Sequence, residues 1–246
     1  MRAKRLRLLC LPCAGASATM YLRWKRWLPE WVEVHPVELP GRGERLGEPL
    51  IDTFETQVVR LCEEQATRLR GDFALFGHSM GALLAYGMAA RLRDVGRPQP
   101  CMLFASGSAA PSMRDPQRFA GLDSDEALIA DLRQQGGTPE AVFESPELLR
   151  LTLDMLAADY RLCDSFRYRA KPPLPCPVQV LAGRDDDIEG ERLEAWRRET
   201  EGAFSLEWFE GGHFFIRQQE ERVLEAVART LEERTAKDFH AATTAT

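Results

Sequence analysis

Ser79 stands at the centre of Gly77-His78-Ser79-Met80-Gly81, a G-x-S-x-G pattern. A short apolar run, residues 73–76, precedes it and reads as a buried strand. Residues 82–93, rich in Ala, Leu and Met, follow it and read as a helix. A serine on the sharp turn between strand and helix is a nucleophile elbow, with its hydroxyl exposed above the sheet. The two glycines suit a strained turn in which neighbouring backbone comes close. The N-terminal N–H groups of the helix then favour negative charge developing at the same spot.

A serine hydroxyl is a weak nucleophile at neutral pH. It needs a base within hydrogen-bond reach, and the base needs a third group to hold its tautomer. In elbow-type folds these follow in the order Ser, acid, His. The chain has four histidines. His35 precedes Ser79, His78 lies in the elbow itself with its side chain pointing elsewhere, and His240 lies near the C-terminal end. His213, in Gly211-Gly212-His213-Phe214-Phe215, follows the last expected strand and is the expected base. The acid belongs on a loop after a strand, and Gly183-Arg184-Asp185-Asp186-Asp187-Ile188 is such a loop. The spacing favours Asp186, with Asp185 as the alternative and Asp187 expected as solvated surface. One oxyanion N–H is expected from Met80, the residue after the nucleophile. The other should come from the loop after the first strand, Pro12-Cys13-Ala14-Gly15-Ala16-Ser17, with Ala14 as the donor.

These groups need a scaffold that brings distant loops together. Strands are expected at residues 6–11, 32–39, 73–76, 101–105, 178–182 and 205–209. Helices are expected at 21–31, 53–70, 82–93, 189–200 and 217–234. Asp52 and Glu55 have capping-box spacing at the start of the second of these. Strand and helix alternating with short joins predict a parallel sheet covered on both faces, an α/β architecture. The rhythm breaks after residue 110. Residues 111–170 show no clear strand but two helical stretches, 125–135 and 146–163. The second carries an apolar face of Leu148, Leu149, Thr152, Leu153, Leu156 and Ala157. This segment is expected as a helical lid inserted between core segments 1–110 and 171–235, lying over the C-terminal edge of the sheet. Residues 236–246 are expected as a loose tail.

A length of 246 residues suits one such domain, and 44% hydrophobic residues suffice for its core. The net charge of −6 comes with scattered cations and no basic stripe, so nucleic acid is not an expected partner. Six cysteines fall mostly in apolar runs. Cys10-Leu11-Pro12-Cys13 has no second Cys/His pair at suitable spacing, so neither zinc nor another metal is expected. Buried thiols in a reducing compartment, the cytoplasm, are the simpler reading. The basic start and short apolar run of residues 1–11 imitate a secretion signal, but the run is short and Pro12 interrupts it. No apolar run approaches membrane-spanning length. A monomer is the default expectation.

Taken together, Pro12-Cys13-Ala14-Gly15, Leu39-Pro40-Gly41-Arg42-Gly43, Gly77-His78-Ser79-Met80-Gly81 and Gly212-His213-Phe214-Phe215 resemble the type II thioesterases. These are stand-alone α/β-hydrolases that accompany nonribosomal peptide and polyketide synthases, the machinery of antibiotic and siderophore biosynthesis. The resemblance runs from about residue 8 to 231, with the motifs in family order. It departs at Ala14-Gly15-Ala16, where the family commonly has Ala-Gly-Gly. It implies an α/β-hydrolase fold and hydrolysis of wrong or stalled acyl groups from the phosphopantetheine arm of carrier proteins, which would be transient partners. It implies Ser79, His213 and Asp186 as the triad and Met80 and Ala14 as oxyanion donors, with no cofactor. Two other readings use the same residues or the same fold: a carboxylesterase or acyltransferase with this triad, and a binding protein on a hydrolase scaffold.

Overall fold

The computed structural model describes residues 5–244, with side chains described to residue 236. Residues 1–4, the basic start of the signal-like pattern, and the His240 side chain lie outside the described residues. Six strands, β1 (Leu6–Leu11), β2 (Val32–Pro36), β3 (Phe73–His78), β4 (Leu103–Ser106), β5 (Val178–Gly183) and β6 (Phe204–Phe209), form one sheet. Their order is β2-β1-β3-β4-β5-β6, and every neighbouring pair is parallel. All strands therefore end at the same edge.

The strands are apolar on both faces because both faces are covered. Leu9, Leu11, Phe73, Leu75, Leu103, Val178 and Val180 pack on one side with α1 (Phe54–Glu64) and α2 (Met80–Asp94). The alternate residues Leu8, Cys10, Ala74, Phe76, Phe104 and Leu181 face the other side. There they meet Tyr21, Trp24 and the Val223, Leu224 and Val227 stripe of the C-terminal helix. Period-two alternation along each strand thus divides the core into two layers.

Between β4 and β5 the chain forms α3 (Asp125–Gln135), α4 (Glu140–Glu144) and α5 (Pro146–Ser165). After β5 come α6 (Gly190–Glu194) and a 3-10 turn, and after β6 come α7 (Phe215–Gln218) and α8 (Glu220–Thr244).

Several elements differ from the expectation. Residues 21–31 do not form an α-helix; the segment is a 3-10 helix, Ala18–Arg26, capped by Ser17, which accepts from the Thr19 N–H. Ala18, Tyr21 and Trp24 are its buried residues, and their spacing of three matches the 3-10 repeat. β2 stops at Pro36 rather than residue 39, at the sheet's outer edge, where a missing N–H is tolerated. On α5, Leu148 is exposed; Leu153, Leu156 and Tyr160 carry the buried face. At the expected loose tail, 236–246, α8 runs on to Thr244, and residues 245–246 lie outside the described residues.

The Asp52–Glu55 capping box does not form. α1 is capped from outside its own segment: the Phe54 N–H donates to Ser165 Oγ at 2.8 Å, at the far end of α5. Replacing a capping hydroxyl by Ala typically costs about 1 kcal/mol. Ser165→Ala is accordingly expected to lower unfolding free energy by about that amount, with an unchanged m-value in urea. Asp52→Ala is expected to leave the stability of α1 nearly unaltered in the same assay.

Candidate active site

The parallel register sets where each chemical group emerges. Leu11 pairs with Gly77, His78 with Ser106 and Gly183 with Phe209 at the strand ends. The loops carrying Ala14, Ser79, Asp186 and His213 therefore leave the sheet at one edge, after β1, β3, β5 and β6.

Ser79 is the sole non-glycine residue with positive φ among the described residues, at φ 54° and ψ −116°. Its N–H donates to Ser106 O at 2.8 Å, which ties the elbow to β4. The flanking glycines have steric causes. A Cβ on Gly77 would lie 2.0 Å from Gly81 O, and one on Gly81 would lie 2.2 Å from Leu11 O. The second contact also shows that the start of α2 abuts the end of β1, where the Ala14 loop begins.

The β6–α7 loop folds back over the end of β5. The Arg184 N–H donates to Phe209 O at 2.9 Å and the Asp185 N–H to Gly211 O at 3.0 Å. This crossing brings His213 to the acidic loop, where its Nδ1 lies 2.9 Å from Asp186 Oδ2. The Asp186 side chain is 4% exposed; Asp185 and Asp187 are exposed and make no such bond to the imidazole. Burial pushes the Asp186 carboxyl up, but the His213 hydrogen bond and charge, helped by the Asp187 N–H at 2.9 Å, bring it below its ordinary value. A carboxylate there accepts from Nδ1–H, so a neutral His213 keeps its lone pair on Nε2.

Ser79, Met80, Ala14, Asp186 and His213 all line one cavity of about 1080 Å³. Leu132 of α3, Val142 of α4 and Leu156 and Tyr160 of α5 form another part of its wall. The inserted helices therefore share the cavity with the sheet edge. Two thiols, Cys13 and Cys163, also line it. Burial pushes Cys13 up to about 11 and Cys163 to about 12, so both are protonated at neutral pH and poorly nucleophilic. No cluster of three or more potential ligand side chains able to hold a metal ion occurs among the described residues. No described helix is long and apolar enough to cross a membrane.

Two features of the site have no clear sequence signal. His78 is fully buried beneath His213, with ring centroids 5.1 Å apart, and its Nδ1 shares a 3.0 Å hydrogen bond with Ser106 Oγ. The second is an ion pair. Arg42 donates from Nη1 and Nη2 to the two carboxylate oxygens of Asp159, each at 2.8 Å, and both side chains are almost wholly buried. Arg42 lay inside a recognisable motif, Leu39-Pro40-Gly41-Arg42-Gly43, but its partner is 117 residues away and nothing in the local pattern names it.

The thioesterase domain model matches residues 6–235. The chain belongs to the thioesterase family. The enzyme is 34% identical over 230 residues to the gramicidin S biosynthesis protein GrsT of Aneurinibacillus migulanus, covering 93% of this chain and 90% of that one. It is similar in structure to RedJ, a thioesterase of the prodiginine pathway in Streptomyces coelicolor, with a TM-score of 0.84 and 38% identity over 91% of this chain and 89% of that one. The type II thioesterase BorB, from the borrelidin cluster, matches with a TM-score of 0.82 and 34% identity over 93% and 92% of the two chains. The α/β-hydrolase fold of this thioesterase is thus established alongside its family.

Burial holds the His78 imidazole well below its ordinary value of 6.5, and the nearby His213 and Arg217 add to the effect. The folded thioesterase keeps His78 neutral, whereas the unfolded chain binds a proton there below about pH 6.5. Protons therefore favour the unfolded state, and this contribution to stability is lost as pH falls. One pH unit below that value the loss is about 1.4 kcal/mol. Urea unfolding at pH 7.5 and 5.5 is expected to show wild type losing about that much more than His78→Gln.

Proposed function

We propose that the enzyme is a type II, editing thioesterase that hydrolyses aberrant or stalled acyl and aminoacyl thioesters from the phosphopantetheine arm of carrier proteins. The observation that carries this reading is the Asp186–His213 pair facing the same cavity as a serine on a strained elbow. The relatives support it: GrsT, RedJ and BorB are named for gramicidin S, prodiginine and borrelidin biosynthesis.

The steps follow from the residues. His213 Nε2 takes the Ser79 proton as Oγ attacks the thioester carbonyl carbon. The oxyanion of the tetrahedral intermediate accepts from the Met80 and Ala14 amides, an arrangement worth two to three orders of magnitude per donor. The C–S bond breaks, and the protonated His213 returns its proton to the leaving thiolate. Water, deprotonated by His213, then attacks the carbonyl of acyl-Ser79; the bond to Oγ breaks, His213 returns the proton to Oγ, and the carboxylic acid leaves. Asp186 holds the imidazole in the required tautomer and stabilises the imidazolium. These steps use side chains, amides and water, and call on no cofactor. Residues 111–170 serve as a lid that admits the pantetheine arm and excludes bulk water. Six free thiols suit a reducing cytoplasm.

Ser79→Ala is expected to lower kcat/KM on an acetyl- or aminoacyl-carrier thioester by at least about 10,000-fold. Asp186→Asn should cost roughly as much, as removal of the acid from such a triad does. Asp185→Asn should leave turnover nearly unchanged. Substrate class is decided by comparing kcat/KM on carrier-bound thioesters, acyl-coenzyme A and simple aryl esters. Preference for the carrier is the expected result. Aryl esters hydrolysed orders of magnitude faster would replace the editing role with that of a small-molecule esterase.

A further inference from the structure

We infer that Arg42 and Asp159 are positioning residues that latch α5 to the oxyanion loop, so that the oxyanion hole is complete only while the lid helix is seated; the inference rests on the thioesterase chemistry proposed for Ser79. Asp159 lies on α5, and its Oδ2 accepts the Gly15 N–H at 2.8 Å. Arg42 grips both oxygens of Asp159 and also donates from Nη1 to Ala16 O at 3.1 Å. The peptide units on the C-terminal side of Ala14 are therefore held by a helix from the inserted segment and by the β2–α1 loop. A further bond, from the Ala18 N–H to Glu38 Oε1 at 3.0 Å, fixes the far end of the same loop. An apolar contact reinforces the polar one: a Cβ on Gly15 would lie 3.3 Å from Leu156 Cδ1, one turn before Asp159 on α5.

A stability role alone explains this pair poorly. Taking two charges out of water costs about what their attraction returns, and apolar replacements of similar volume are often neutral or stabilising. What apolar side chains cannot do is accept the Gly15 N–H and donate to the Ala16 carbonyl. Those two bonds hold the backbone immediately C-terminal to the amide that must meet the developing oxyanion, where an orientation error is felt directly in the transition state. The same network makes loop geometry depend on where α5 sits. A lid displaced by an entering carrier arm would loosen the hole, and one closed over the acyl group would complete it.

The test uses the full-length double variant Arg42→Met/Asp159→Leu, which removes both charges and leaves no buried ion unpaired, together with Asp159→Asn. For each, folding is checked by circular dichroism, kcat and KM are measured on an acetyl-carrier thioester, and Ki is measured for an alkyl boronic acid. The boronate adduct of Ser79 places an anionic oxygen in the hole. The double variant is expected to fold, to keep KM within about threefold of wild type, and to lose kcat by about 10- to 100-fold, less than outright deletion of a donor. The boronate Ki should rise by a similar factor, since both report transition-state contacts. A folded double variant with kcat and Ki within twofold of wild type overturns the latch. So does a change confined to KM, which would mean a lid-packing role. Should the double variant not fold, Asp159→Asn decides by the same criteria. A wild-type protein that neither turns over thioester nor binds boronate overturns the proposed chemistry and the latch with it.

Discussion

The structure depends on one strained residue. A serine at φ 54° and ψ −116° occupies backbone space that costs of order 1–3 kcal/mol and persists only where the surroundings over-determine it. Here they do. β3 is wholly buried, α2 is buried over most of its length, the Ser106 carbonyl accepts the Ser79 N–H, and at two glycines an added Cβ would lie about 2 Å from neighbouring backbone. The strain projects the hydroxyl off the end of β3 and sets the start of α2 beside the loop after β1. Ser79, the N-terminus of α2 and the loop carrying Ala14 thus take their places from a single turn.

Around that turn the charges are arranged to stay put. The Asp186 carboxylate keeps its charge despite burial because His213 and the Asp187 N–H both compensate it. Beneath His213, a second imidazole is kept neutral by burial and bonded to Ser106. A neutral ring there offers a flat surface and adds no positive charge beside His213. Cysteines at the cavity wall stay protonated for the same reason of burial.

Much of this was legible in the residues because it is local or periodic. The elbow is a five-residue pattern, the strands are apolar runs, and α3 falls at Asp125–Gln135, where a helical stretch was expected. His213 and the acidic loop followed from chain order once the elbow was recognised. What could not be read was set by partners far away in sequence. Among three aspartates in a row the spacing favoured Asp186 but left Asp185 open; the pairing is made by the β6–α7 loop, which brings the imidazole to Asp186. The cap of α1 came from Ser165, 111 residues away, and a neighbouring Asp looked the better candidate. The 3-10 segment hid its spacing of three behind an amphipathic composition that an α-helix would share. The Arg42–Asp159 pair joins two segments whose sequences give no hint of each other.

Catalysis in this account runs through a covalent bond to one oxygen atom. The direct measurement is intact-protein mass spectrometry on samples quenched within milliseconds of mixing enzyme with excess acetyl-carrier thioester, followed by peptide mapping. The account predicts a transient species heavier by one acetyl group, carried on the peptide containing Ser79 and decaying as free acetate appears. Turnover with no such adduct, or an adduct on any other residue, would contradict it.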